Sequence, residues 1–440
     1  MTELPAARGP AVWQALRLSS RPEAFLRRCG ARGDPFTVRL PGLGAVLVTG
    51  HPEGARDVFG APPDTFEPLL PNPIEPLLGP GSLILLGGER HGRERKLLMP
   101  PFHGDRMRAY GRIMRDLARE ALGRMVPGRP SSAQALAREI TLGTIVRAVF
   151  GVQDHARQER FRATIVAALE RYTGPLLVLP ALRRRFLGLG PWARFVRARG
   201  ALVALLSDEI ACRRREGARG REDILSLLLE ARHEDGSPIA EADLLDQLGT
   251  LLVAGHDTTA TALAWALHFS LSIPEVGARL ERELAALGPE PAPEALAQAE
   301  YLGAVCSEAL RLHPVVPVIV RRTRAPFSLR GHDVPVGQAV AVAVTLLHEH
   351  PSVWSEPGRF LPERFLGRRH APYELAPFGG GARRCVGAAF ATYELRIVLG
   401  TLLAEGNFAH STAQAPQPVL HGITMTPRRP LPIVVSTGAC

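Results

Sequence analysis

The sequence predicts a mainly α protein, and three observations predict it. Segment after segment carries apolar residues at helical spacing: residues 13–29, 105–125, 133–150 and 155–172. A long stretch from Ser237-Pro238 to about Ser272 is apolar nearly all round, the pattern of a central buried helix. Strand signals are fewer; residues 36–40 and 45–49 alternate about Pro41-Gly42-Leu43-Gly44, which reads as a hairpin. The 440 residues exceed a usual domain of about 100–200. Either several domains or one large helical domain with a smaller sheet-rich lobe fits that length.

Composition narrows the function classes. A hydrophobic content of 46% supplies a substantial core, and the formal net charge is +10. Lys96 is the sole lysine, so the basicity is arginine's. Those arginines are dispersed among acids, as in Arg157-Gln158-Glu159-Arg160, which describes a solvated surface and no nucleic-acid-binding face. The five cysteines are scattered and odd in number, which is no disulfide framework and points to a reducing cytosol. Residues 1–10 lack a signal-peptide core. No run of about 18 apolar residues provides a transmembrane segment. A soluble, cytoplasmic protein is expected.

Taken in order, the helical spacing of residues 13–29 is interrupted at Arg21-Pro22, and residues 51–59 form a short helix after the hairpin. Residues 61–80 are crowded with proline and read as a long loop of the kind that serves as a lid or binding segment. Residues 88–96 place His91 and Arg95 four apart on one helical face. Residues 173–192 break the pattern with Gly174-Pro175, Pro180 and Pro191. In the middle of the long apolar helix sits Ala254-Gly255-His256-Asp257-Thr258-Thr259, an acid and two hydroxyls whose burial is costly without a use. Residues 301–312 are helical and hold Glu308 and Arg311 on one face; residues 418–435 read as terminal strands and turns.

The chemistry centres on Phe378-Gly379-Gly380-Gly381-Ala382-Arg383-Arg384-Cys385-Val386-Gly387, followed by a helix over 388–404. Glycines allow a tight turn and close approach to something flat and bulky. Backbone N–H groups aimed at the sulfur favour a thiolate. As a nucleophile, Cys385 wants a histidine base that the local sequence does not identify. As a zinc ligand it wants further Cys or His at short spacing, and none is present. A lone hydrogen-bonded thiolate suits the axial position of haem iron.

Phe378, Gly381, Arg383, Cys385 and Gly387 resemble the haem-binding loop of the cytochrome P450 family, and further matches run in family order from Glu89 onward. The resemblance implies one P450 domain over residues 1–440: a large helical domain with a β-rich lobe drawn mainly from about 30–60 and 315–345, and a haem-binding helical core over about 88–310 and 350–405. It implies haem b with Cys385 as axial thiolate, and His91, Arg95, Arg321 and Arg383 as candidates for its propionates. Ala254 and Gly255 would leave room for O2; Thr258 would hydrogen-bond it while Asp257 relays protons. Glu308, Arg311 and Arg364, the last within Phe360-Leu361-Pro362-Glu363-Arg364-Phe365, match the family's structural Glu–Arg–Arg triad. The substrate would be hydrophobic (a fatty acid, terpenoid or polyketide-like molecule), in a pocket including Val253, Val316, Val318, Ile319 and Ile423 and closed by a lid around Pro180. The chain ends at Cys440, soon after Cys385, so electrons are expected from a separate ferredoxin and ferredoxin reductase, docking on Arg90, Arg93, Lys96 and Arg384. A peroxide-driven hydroxylase of the same fold and a non-enzymatic haem-thiolate sensor are the alternatives.

Overall fold

The computed structural model describes residues 4–69, 72–104, 106–172, 176, 183–184, 188–410 and 416–436. Pro22 ends the first helix, because a residue before proline is pushed out of the α region. The N-terminus therefore splits into α1 (Ala11–Ser20) and α2 (Pro22–Gly30). The hairpin follows as β1 (Phe36–Leu40) and β2 (Gly44–Thr49), then α3 (Pro52–Gly60).

Residues 61–80, expected as loop, hold two brief elements, β3 (Phe66–Glu67) and α4 (Glu75–Leu78). β3 exists because a neighbouring strand supplies its hydrogen bonds, information that local composition does not contain. The helices α5 (Gly88–Leu98), α6 (Arg106–Gly123), α7 (Ala133–Thr144) and α8 (His155–Arg171) come next, with the two-residue β4 (Ser131–Ser132) before α7. The sequence predicts an unbroken helix to Phe150; the structure instead widens residues Ile145–Val149 into a π-helical turn.

Most of the expected lid, Pro180 included, lies outside the described residues. Beyond it run α9 (Gly190–Glu216), α10 (Ile224–Glu230) and α11 (Glu241–Ser272). α11 has 32 residues and spans about 48 Å. It begins at Glu241 rather than at Ser237-Pro238, because Ser237 is taken up in a turn: its backbone N–H and hydroxyl both donate to Asp235, at 2.9 and 2.5 Å. Glu241 and Asp243 then suit the positive end of the helix dipole. The remaining helices are α12 (Pro274–Ala286), α13 (Pro293–Gln298), α14 (Glu300–Leu312), α15 (Val344–Leu347) and α16 (Ala388–Glu405).

One five-stranded sheet, in the order β1-β2-β8-β5-β3, uses β5 (Val318–Thr323) and β8 (Ala339–Ala343). Only β2 and β8 run parallel. β6 (Phe327–Leu329) and β7 (His332–Val334) form a separate hairpin, as do β10 (Pro418–His421) and β11 (Thr424–Pro427); β9 (Phe408–His410) and β12 (Pro432–Val435) join β4. β8 is buried along its whole length, and its alternation separates two small cores. Val340 and Val342 pack with Phe59 and Phe66 on one face; Ala339, Ala341 and Ala343 pack with Phe25 and Leu26 on the other. The main core lies among the helices, with α11 packed against α7, α14 and α16.

Candidate functional site

The cysteine loop is shaped by what lies beneath it. Gly379 and Gly381 adopt φ of 68° and 66°, conformations that favour glycine. A Cβ on Gly380 would stand 2.5 Å from the Phe59 ring, and one on Gly381 only 2.2 Å from the Phe59 carbonyl oxygen. α3 therefore presses directly on the loop, and bulk at either position would lift it away. No protein atom comes within 4 Å of a Cβ built on Gly387, so protein packing does not explain that glycine. The Cys385 N–H donates to Phe378 O at 2.9 Å and closes the loop.

Cys385 is exposed, yet protein crowds it closely enough for burial to be the largest influence on its thiol, raising its pKa. The Gly387 N–H and the charges of Arg95 and Arg384 oppose that shift without overcoming it. The expected donor array is thus reduced to one N–H, and the metal-free sulfur is a thiol that must shed its proton to ligate a metal. Beside it opens a cavity of about 370 Å³ walled in part by Arg95, His103, Arg384 and Arg396.

Four basic side chains converge nearby. His91 and Arg95 lie one turn apart on α5, Arg321 lies on β5, and Arg383 lies in the loop. Burial depresses all four; His91 is brought to about 4 and Arg321 to about 10. The positive charge of Arg383 adds to the effect on both His91 and Arg321, and Arg95 and Arg321 act further on His91. Arg383 Nη2 donates to Leu86 O at 2.5 Å. His91, Arg95 and Arg321 make no side-chain hydrogen bond or ion pair among the described residues. His91 is neutral at that value and offers a ring N–H, whereas Arg95, Arg321 and Arg383 keep their charge, and half-buried charges without an anion are unfavourable unless a ligand brings one. A planar dicarboxylate such as haem fits this donor set: a cysteine for the metal and uncompensated cations for the carboxylates.

The middle of α11 is equally particular. Ala254 is exposed while Leu252, His256, Thr259 and Ala260 are buried. Thr258 Oγ1 donates to Ala254 O at 2.5 Å, back-bonding to the preceding turn. A Cβ on Gly255 would lie 2.9 Å from Ile145 Cδ1, so the π-helical turn that follows α7 approaches closely there. Asp257 faces α7 and accepts from Arg138 Nε at 2.8 Å, in a pair 31% and 50% exposed. His256 is buried on the same helix contact, 3.0 Å from Thr141 Oγ1, and burial lowers it to about 4, so it stays neutral.

The comparisons with known proteins decide the family. The cytochrome P450 family model matches residues 4–434. This chain belongs to the cytochrome P450 family. It is 33% identical over 427 residues to the putative cytochrome P450 138 of Mycobacterium tuberculosis, covering 96% of this chain and 94% of that protein. It is 34% identical over 409 residues to the putative cytochrome P450 135B1 of the same species, covering 92% and 85%. A cyanobacterial P450 solved with retinoic acid bound, CYP120A1, superposes with a TM-score of 0.82 at 26% identity, covering 93% of each chain. The family's members are haem-thiolate monooxygenases, in which a cysteine holds the haem.

Other expected residues of this P450 divide between those the structure gathers and those it does not. Glu308 and Arg311 form a two-point pair at 2.6 and 2.8 Å with neither side chain exposed. Arg364 Nε stands 3.4 Å from the same carboxylate, a charge contact without hydrogen-bond geometry. Sequence reasoning missed His348, which carries the network onward. Its Nδ1 meets Arg311 O at 3.0 Å and its Nε2 accepts from Ala376 N–H at 2.8 Å, two residues before Phe378. Arg138 and Phe59 were missed too; each acts across a long sequence separation, and only spacing-independent contacts reveal them.

The expected pocket and docking residues are spread over several surroundings. Strand alternation puts Val318 with the Phe25 core and Ile319 with the Phe59 core, so these two do not share one pocket wall. Val253 packs on the helical core, Val316 is half-buried, and Ile423 is exposed in the turn between β10 and β11. Three of the four docking cations are already engaged: Arg90 by Asp243 at 2.7 Å, Lys96 by Glu234 at 2.7 Å, and Arg93 near Glu94 at 3.8 Å.

Proposed function

We propose that Cys385 is the axial thiolate of haem b in this P450, that His91, Arg95, Arg321 and Arg383 hold its propionates, and that the enzyme inserts one atom of O2 into a hydrophobic small molecule. The observation that carries the reading is the cluster of three half-buried arginines and a buried neutral histidine, with no acid paired to them among the described residues, beside a glycine-shaped cysteine loop. Haem bound there supplies the reductive activation of O2. The chain's own residues supply position and protons. Ala254 keeps bulk away from the reaction side of α11, and Gly255 lets the helix sit close against Ile145. Thr258 presents its hydroxyl there, and Asp257 connects it to solvent by exchanging its contact with Arg138 for water. Glu308, Arg311, Arg364 and His348 fix the loop's approach and take no chemical part.

Val253, Val316, Ile319 and Ile423 are apolar, which favours a fatty acid, terpenoid or polyketide-like substrate. The retinoic acid held by CYP120A1, an apolar ligand of that protein, supports the same class. Electrons come from a ferredoxin and its reductase, approaching beside the cavity at Arg384, whose charge has no acidic partner among the described residues. Location in the cytoplasm agrees with free thiols at Cys29, Cys212, Cys306 and Cys385 and with the absence, among the described residues, of a helix long and apolar enough to cross a membrane.

The test is turnover of an apolar compound under ¹⁸O₂ with ferredoxin and reductase. Compounds are first screened for a spin shift of the haem spectrum. One labelled oxygen in the product supports the reading. Unlabelled product, or turnover with peroxide alone and none with the electron donors, favours the peroxide-driven hydroxylase. Absence of any product and of any spin shift across the apolar compounds contradicts the reading.

A further inference from the structure

α1 is built inside out. Its one buried side chain is polar: Gln14 is 1% exposed, while Val12, Trp13 and Leu16 are 59%, 60% and 60% exposed. The reason lies in how the helix is attached. Gln14 Nε2 donates to Ala7 O at 3.2 Å and Gly9 O at 2.8 Å, and its Oε1 accepts from Arg39 N at 2.8 Å. Residues 5–7 meanwhile pair with the edge strand β1, through Ala7 N to Thr37 O and Thr37 N to Pro5 O, both at 2.8 Å. α1 is thus held to the sheet through Gln14, with Leu18 one turn on packed against the small core of Phe25 and Phe36. Residues 12, 13 and 16 share the opposite side by helical spacing and carry a tryptophan and two aliphatic groups into solvent.

The surroundings are one-signed. Residues 4–45 contain seven arginines and two acids. Both acids are spoken for: Glu23 by Arg27 and His313, Asp34 by Thr49, the Gly50 N–H and Arg330. Arg8, Arg17, Arg21 and Arg39 are exposed and have no ion pair among the described residues. An apolar stripe with tryptophan, flanked by unpaired cations on a helix that lies on the surface, is the pattern of an interfacial helix. A second copy of this chain would bring arginines against arginines, which opposes self-association through this face.

We propose that α1 is a peripheral membrane-docking element that rests on an anionic lipid surface, with Trp13, Val12 and Leu16 in the interfacial layer and Arg8, Arg17, Arg21 and Arg39 over the head groups. It anchors the enzyme at a bilayer without crossing it. Ten residues make this a weak, reversible attachment. It does not depend on which substrate the enzyme takes.

The experiment is co-sedimentation of the haem-loaded protein with vesicles of phosphatidylcholine alone or mixed with phosphatidylglycerol. Binding to the mixed vesicles is expected to exceed binding to phosphatidylcholine and to fall as salt is raised. The double variant W13Q/L16Q should lose roughly tenfold or more of that binding. R17Q/R21Q should lose the preference for anionic vesicles. Both variants should keep the carbon monoxide spectrum of the parent, which shows that folding is intact. Equal binding to the two vesicle types, or unchanged binding by W13Q/L16Q, overturns the proposal. So does a concentration-dependent dimer that W13Q/L16Q abolishes in the absence of lipid binding, since a second copy would then be the occupant.

Discussion

Replacing Arg321 by Met should stabilise the haem-free protein and destabilise the haem-loaded one. Burial lowers the Arg321 guanidinium from 12.5 to about 10, which corresponds to about 3 kcal/mol of unfavourable charge burial. A cation whose folded value is depressed still carries its charge at neutral pH, so the whole cost is present there and fades only as pH rises above about 10. Methionine has no charge to desolvate and fills similar space. With an unfolding entropy of about 0.9 kcal/mol/K for a chain of this length, the haem-free Tm should rise by roughly 3 °C. In the haem-loaded protein the same change removes a charge-assisted hydrogen bond worth about 1.5–3 kcal/mol. Haem should then leave roughly tenfold to a hundredfold faster, measured by transfer to excess apomyoglobin. The opposite signs are the point of the experiment. If R321M lowers both stabilities together, Arg321 is a packing residue and the uncompensated cluster is not a carboxylate site.

Three further outcomes follow from particular contacts. Thr258→Ala should leave haem binding and substrate spin shift intact while diverting reducing equivalents to hydrogen peroxide, read as peroxide formed per NAD(P)H consumed; unchanged coupling would remove Thr258 from proton delivery. Glu308→Gln leaves Arg311 buried with half its pairing, and breaking such a pair costs about 3–5 kcal/mol; a urea midpoint close to the parent's would show that the network does not stabilise the fold. Burial pushes the Glu394 carboxyl on α16 from 4.5 up to about 8, against a smaller opposing influence of the nearby Thr144 hydroxyl. The folded protein therefore keeps a proton that the unfolded chain loses, so stability should fall from about pH 4.5 to about pH 8 and level off above. Glu394→Gln should flatten that window, and an unchanged slope in denaturation against pH would assign the effect elsewhere.

Local chemistry and fixed spacing were readable from the chain. The glycine run before Cys385, the pairing of Glu308 with Arg311, and the helix across Ala254 to Thr258 depend on residues close in sequence, where period and turn rules apply. What depended on distant partners was not readable. β3 exists through β5, the loop glycines are demanded by Phe59 from α3, and Asp257 is held by Arg138, 119 residues away. The start of α11 slipped from Ser237 to Glu241 because Asp235 captured the serine hydroxyl, a local competition between turn and cap that composition leaves balanced. Val318 and Ile319 are adjacent and equally apolar; only the sheet's two coverings tell their destinations apart. α1 was legible as a helix, but its buried Gln14 reversed the usual inside and outside.

The most direct measurement is the absorption difference spectrum of the dithionite-reduced protein with and without carbon monoxide, for the parent and for Cys385→Ser. The account predicts the strongly red-shifted Soret band of thiolate-bound haem in the parent, and its loss in C385S at unchanged far-ultraviolet circular dichroism. A red-shifted band that survives in C385S, or a parent band at the shorter wavelength of histidine-bound haem, would contradict Cys385 as the ligand.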